Sequence, residues 1–134
     1  MLLLDDDPFM CALLRDALEA EGFQVTQFGN GREAIAAVLV TDWPPDVIVS
    51  DLVMSDMDGR TFLALLRTSS TVRIPVVIMS ASSAGLEREL EREGAEAVLD
   101  KSWGADTIAA FAGMVAAARP AGRERGVRRT VTSS

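Results

Sequence analysis

Asp5, Asp6 and Asp7 follow directly on the apolar run Met1-Leu2-Leu3-Leu4. Carboxylates crowded in this way repel and raise one another's pKa unless a cation neutralises them. Three further apolar runs end in groups of related chemistry. Val47-Ile48-Val49-Ser50 leads into Asp51, Val76-Val77-Ile78-Met79 into Ser80, and Ala97-Val98-Leu99 into Asp100 and Lys101. An all-oxygen carboxylate set points to Mg2+, which prefers six oxygen ligands at about 2.0–2.1 Å, keeps several waters and commonly shares its shell with a phosphate. Lys101 is a suitable point charge for that phosphate, and the Ser80 hydroxyl a suitable donor. Acid, acid, hydroxyl and amine therefore read as a Mg2+-dependent phosphoryl site, provided the four runs are strands whose carboxyl ends converge.

Short β-type runs alternate with longer helical patterns, about five of each, which signals βαβ units and a parallel sheet. The first strand covers about Leu2 to Leu4. The first helix runs from Pro8 to about Glu21, with Phe9, Leu13, Leu14, Ala17 and Leu18 on its inner face and Gly22 as its stop. A strand over about Gln24 to Phe28 precedes a helix over Gly31 to Val40, and Trp43-Pro44-Pro45 breaks the chain before the third strand. The third helix spans about Arg60 to Arg67, with Phe62, Leu63 and Leu66 inward. The fourth, about Gly85 to Glu93, offers only Leu86 and Leu90 to a core and carries a charged face with pairs such as Arg88 and Glu91. The fifth, about Ala105 to Ala118, presents Ile108, Phe111 and Val115. Right-handed crossovers then give a flavodoxin-like (βα)5 three-layer α/β sandwich with sheet order 2-1-3-4-5, in which the first and third strands are neighbours.

The 134 residues fit one domain, residues 1–118, followed by a basic segment, 119–134, expected to be flexible. Cys11 is the one cysteine, so no internal disulfide forms, and the lack of histidine excludes Ser-His-Asp catalysis, histidine-ligated metals and a phosphohistidine carrier. No apolar run approaches the roughly 18–20 residues of a membrane span, so a cytoplasmic protein without membrane insertion is expected. The net charge of −7 is uneven. Arg119, Arg123, Arg125, Arg128 and Arg129 against Glu124 make the tail +4, leaving −11 on the first 118 residues, which disfavours direct nucleic-acid contact by the body.

With Asp5-Asp6, Asp51, Ser80 and Lys101 placed, the chain resembles the receiver domain of two-component response regulators, CheY-like, over about Leu2 to Ala118. The resemblance rests on Leu4-Asp5-Asp6-Asp7-Pro8, on Ser50-Asp51-Leu52-Val53-Met54 with Met57-Asp58-Gly59, on Met79-Ser80-Ala81 and on Lys101. It implies that Asp51 is the phosphoacceptor and takes a phosphoryl group from a sensor histidine kinase, a phosphotransfer protein or a small acyl phosphate. It further implies that Asp6 ligates Mg2+ directly and Asp5 mainly through water, with Asp51 supplying a carboxylate oxygen and Val53 its backbone carbonyl. Ser80 and Lys101 would hold the phosphoryl oxygens with help from the Ala81 backbone, and Asp7 would border the site or only cap a helix. Such a domain is a switch and not a turnover enzyme. Its output would reach a downstream protein through the face formed by the fourth helix, fifth strand and fifth helix.

Three positions depart from the family pattern. Ser55 and Ser102 stand where proline is usual, and Val98 replaces an aromatic residue on the fifth strand. A cis bond before Ser102 would cost about 2.5–4 kcal/mol, and a trans bond would require the loop from Lys101 to Gly104 to be rebuilt. Val53 and Ser82 cannot place an attacking water as a carboxylate or amide would, which implies slow self-dephosphorylation. A degenerate receiver, keeping the fold but controlled by protein contacts, is the competing function; the departures favour it and the intact acidic pair, Asp51, Ser80 and Lys101 oppose it. Asp56-Met57-Asp58-Gly59 also resembles the nucleophile motif of haloacid-dehalogenase-like phosphatases, but Asp51 holds the strand end that motif requires. As a calcium loop the segment lacks its first and closing ligands, Met54 and Leu65 standing there.

Overall fold

The computed structural model describes residues 1–40, 44–69, 73–81 and 85–118; Trp43, Ser82 and the basic tail, with the expectations attached to them, lie outside the described residues. Strands β1 (Leu2–Leu4), β2 (Thr26–Phe28), β3 (Ile48–Asp51), β4 (Val76–Ser80) and β5 (Ala97–Asp100) alternate with helices α1 (Pro8–Ala20), α2 (Gly31–Val40), α3 (Gly59–Ser69), α4 (Glu87–Arg92) and α5 (Ala105–Ala117). All pairings are parallel and the order is β2-β1-β3-β4-β5. Leu4 pairs with Ser50, Asp51 with Met79 and Ser80 with Asp100. This register brings the residues that follow each apolar run to one edge of the sheet.

Side chains alternate across a strand, so consecutive apolar residues of the inner strands feed two cores. Leu2, Leu4, Ile48, Val76, Ile78 and Val98 pack with Ala34, Phe62, Leu63, Leu66 and Leu90 on the α2, α3 and α4 side. Leu3, Val47, Val49, Val77, Met79 and Leu99 pack with Cys11, Leu14, Leu18, Ile108, Ala109 and Ala112 on the α1 and α5 side. The inner faces of these last two helices differ from the sequence-based expectation. Phe9 is 72% exposed and Leu13 44%, because α1 turns its Cys11, Leu14 and Leu18 stripe inward. On α5, Ile108, Ala109 and Ala112 are buried while Phe111 faces solvent and Val115 is half-buried. Small residues let α5 approach closely: a Cβ on Gly113 would lie 2.9 Å from Glu21 Oε1 and 3.2 Å from Phe23. A larger side chain at position 113 would press on both.

Helix α4 is held by few apolar contacts, with Leu90 its one buried residue. Its charged face meets α3: Arg60 donates through Nη2 to Glu89 (2.6 Å) and through Nε to Glu93 (2.7 Å). The Arg60 bond to Glu93 holds that carboxyl below the usual range. Arg67, two turns along α3, donates to the carbonyl of Gly94 at 2.8 Å.

The β3–α3 loop is fixed by caps. Asp58 accepts from Thr61 N at 2.8 Å at the start of α3. Asp56 reaches the start of α2, accepting from Gly31 N and Arg32 N, each at 3.1 Å, beside Asn30, which accepts from Glu33 N at 2.9 Å. The Asp56-to-Gly59 motif is therefore a pair of helix caps closed by a glycine. A Cβ on Gly59 would lie 2.5 Å from the Asp51 carbonyl oxygen, so the loop can fold back only there.

Two predictions follow from these contacts. Phe62→Ala should cost about 3–5 kcal/mol in urea unfolding and Phe111→Ala less than about 1 kcal/mol. Asp56→Ala should cost about 1 kcal/mol at pH 7. Slight desolvation opposes ionisation of Asp56, but the Gly31 and Arg32 N–H groups outweigh it and lower its pKa. Its contribution is thus present above the ordinary carboxylate range and disappears as pH falls through the lowered value, so unfolding at strongly acid pH should no longer distinguish variant from wild type.

Candidate functional site

At the carboxyl edge of the sheet, Asp5 follows β1, Asp51 ends β3, Ser80 ends β4 and Lys101 follows β5. Asp5, Ser80 and Asp51 are buried to 1%, 4% and 6% exposure, whereas Asp6 is exposed. One carboxylate oxygen from each of Asp5, Asp6 and Asp51 lies within 4.8 Å of the others. Lys101 Nζ stands 3.1 Å from Asp51 Oδ2 and 3.4 Å from Asp5 Oδ2. Asp7 N donates to Asp5 Oδ1 at 2.9 Å, and Val53 N lies 3.5 Å from Asp51 Oδ1.

Burial raises the pKa of Asp5, the Asp51 charge adds to it, and the Asp7 N–H and Lys101 counter it only in part. Burial also works against the Lys101 ammonium, but its bond to Asp51 and the charges of both aspartates prevail and raise its pKa. Cys11, whose Sγ lies 3.1 Å from the Asp5 carbonyl oxygen, is pushed up to about 11 by burial and the nearby aspartates. It is a packed thiol and not a nucleophile.

The structure brings Asp5, Asp6, Asp51 and Lys101 together and sets Ser80 beside them in the sheet. Asp7 caps α1, accepting from Phe9 N at 3.0 Å and Met10 N at 3.5 Å. Val98 lies in the apolar core, and the side chains of Val53 and Ala81 face solvent. The Lys101–Ser102 bond is trans, no cis peptide occurring among the described residues. A 3₁₀ turn, Lys101–Trp103, replaces the proline geometry: Asp100 accepts from Ser102 N at 2.8 Å and Ser102 Oγ at 2.7 Å. Lys101 keeps its reach. Sequence alone missed one polar contact at the site, Ser55 N donating to Asp6 Oδ2 at 2.9 Å, because a backbone N–H carries no residue signature.

The sequence profile of the response regulator receiver domain matches residues 1–112. The probable transcriptional regulatory protein TcrX of Mycobacterium tuberculosis is 36% identical over 88 residues, covering 66% of this chain and 36% of TcrX. The transcriptional regulatory protein TcrA of the same organism is 35% identical over 109 residues, 81% of this chain and 42% of TcrA. Among solved structures, the receiver domain of the Francisella response regulator 1452 superposes with a TM-score of 0.78 at 27% identity, covering 87% of this chain and 94% of that one. The receiver domain of a sensor histidine kinase from Pseudomonas aeruginosa, with magnesium coordinated in its active-site cleft, shares the fold with a TM-score of 0.75 at 20% identity, over 87% and 96% of the two chains. The chain belongs to the response regulator receiver domain family, whose members are signalling proteins of two-component systems and not turnover enzymes. It spans about two fifths of the length of the curated relatives TcrX and TcrA, 36% and 42%.

The crowding of Asp5 against Asp51 makes a stability prediction. A carboxyl with a raised folded pKa contributes stability that is present at acid pH and lost as pH rises through that value. Asp5→Asn should therefore raise the melting temperature at pH 7 in the presence of EDTA, and the gain should shrink as pH falls toward about 4.

Proposed function

We propose that this chain is a phosphorylation-controlled signalling switch that accepts a phosphoryl group on Asp51 in a Mg2+-dependent reaction. The observation that carries this is the Lys101 ammonium 3.1 Å from Asp51, beside three carboxylate oxygens within 4.8 Å of one another. The donor set fits the ion: it is all oxygen, it is crowded, and the carboxylate of Asp5 is disfavoured without added positive charge. Asp6 and Asp51 would hold Mg2+ directly, with the Val53 carbonyl, and Asp5 mainly through water. When bound, the ion supplies positive charge to the phosphoryl oxygens.

The remaining work falls to the chain's own groups. An Asp51 carboxylate oxygen attacks phosphorus in line, the new O–P bond forming as the N–P bond of a partner's phosphohistidine breaks and that nitrogen keeps the electron pair. Phosphoryl transfer depends mostly on such positioning and charge neutralisation, so a carboxylate suffices as nucleophile. Lys101, fixed between Asp51 and Asp5, neutralises an incoming phosphoryl oxygen. Ser80 and the Ala81 N–H donate to another, and movement of Ser80 toward the phosphoryl group starts the switch. Val53, open to solvent and without a polar side chain, leaves attacking water unguided, which favours a long-lived phosphoryl group.

In this assignment residues 1–118 act as the receiver and 119–134 as a basic appendage. The donor is a sensor histidine kinase or phosphotransfer protein, the setting is cytoplasmic, and output leaves through the face of α4, β5 and α5. No described helix is long and apolar enough to cross a membrane. The contacts of Lys101 with both buried aspartates weigh against a degenerate binding module.

Incubation with acetyl phosphate and Mg2+, followed by intact-mass measurement after a rapid quench, should show one added phosphoryl group. Asp51→Asn or omission of Mg2+ should abolish it. A folded wild-type sample that takes no adduct and binds no Mg2+ would sink the proposal.

A further inference from the structure

Asp6 differs from the other two carboxylates of the site. It is exposed, and Lys101 bonds to Asp5 and Asp51 but not to it in the contacts seen here. Among the described residues it accepts a bond from 49 residues away, the Ser55 N–H at 2.9 Å from Oδ2. An exposed hydrogen bond between two mobile groups contributes little, because ordering both offsets the gain. Here both ends are already fixed. Asp6 lies two residues past the end of β1, and its neighbours are tied together by Asp7 N on Asp5. Ser55 sits in a loop fastened on three sides: Leu52 N donates to Met79 O at 2.8 Å, Gly59 N to Leu52 O at 2.6 Å, and Asp56 grips the start of α2.

We infer that the Ser55 backbone N–H is a positioning donor that orients the Asp6 carboxylate for a divalent cation. The inference rests on the Mg2+ assignment made above. A charge-assisted N–H bond to Oδ2 fixes the plane of the carboxylate and leaves lone pairs on both oxygens for a cation. Outer groups that orient metal ligands in this way govern affinity. The role belongs to the backbone, so it is indifferent to the serine hydroxyl and is removed by proline, which has no N–H.

The test titrates wild type, Ser55→Ala and Ser55→Pro with MgCl2, by calorimetry and by NMR of the Asp6 side-chain carboxyl carbon. Ser55→Ala should keep wild-type affinity and Ser55→Pro should bind about fivefold more weakly or worse. In metal-free samples only Ser55→Pro should shift the Asp6 carboxyl resonance. Hydrogen exchange at the Ser55 amide of metal-free wild type decides the bond independently, should the proline variant not fold: protection supports it and free exchange overturns it. Equal affinity of Ser55→Pro, or an equal loss in Ser55→Ala, overturns the positioning role while leaving the metal site standing. Wild type without Mg2+ affinity overturns the metal assignment itself, and this role with it.

Discussion

The rest of the structure turns on two carboxylates held side by side almost out of reach of solvent. Asp5 and Asp51 are both nearly inaccessible, and each faces the same ammonium. Taking a carboxylate out of water is costly, and a second one beside it raises the cost. Lys101 offsets part of that cost. Asp5 nevertheless stays raised in pKa, so the pocket carries an uncompensated preference for more positive charge. The sheet order is what makes this possible: only with β1 and β3 adjacent, and β4 and β5 following, do acid, acid, hydroxyl and amine share one edge.

Maintaining that crowding demands a rigid rim, and the rim is built from backbone hydrogen bonds. The loop after β3 closes on itself at Gly59, where no side chain fits against the Asp51 carbonyl. It leans on α2 through Asp56 and on Asp6 through Ser55. Helix α4 is secured differently. Leu90 alone is buried, and Arg60 and Arg67 of α3 span to its carboxyl-terminal end. The exposed ion pairs of Arg60 hold weakly and weaken further with salt, and Arg67 adds a bond to the Gly94 carbonyl. The helix that follows Ser80 in the chain is therefore the α-helix with the least apolar anchoring of the five, and the one whose local stability is lowest.

The fold was legible because each central strand is a short apolar run with a polar terminus, and those termini form the candidate site. The inner face of α3 was equally plain, since Phe62, Leu63 and Leu66 stand out against Arg60, Thr61 and Ala64. Helices α1 and α5 misled for a common reason. Both are apolar on several faces, so size drew attention to Phe9, Leu13 and Phe111, while the seam selected small residues such as Cys11, Ala109 and Ala112. Close packing rewards what fits and not what is most hydrophobic. The caps were illegible for another reason. Asp56 and Ser55 act on Gly31 and Asp6 across the chain, and no local spacing encodes such a contact.

The two serines that stand in place of proline have one physical logic. Proline fixes a loop by its ring and surrenders the N–H; serine leaves φ free and returns the donor. At both positions the returned donor is used, Ser55 N on Asp6 and Ser102 N on Asp100. Asp100 is held below the usual carboxylate range by that bond and by the Ser102 hydroxyl, so the Lys101 turn is tied to an ionised group. The rigidity that a ring would supply is thus supplied by charge-assisted hydrogen bonds, whose acceptors are aspartates flanking the pocket. Loops set in this way respond to the charge state around them, whereas a proline does not. Each loop is thus tied to a carboxylate by a donor that proline would lack, the loop after β3 to Asp6 and the turn after β5 to Asp100.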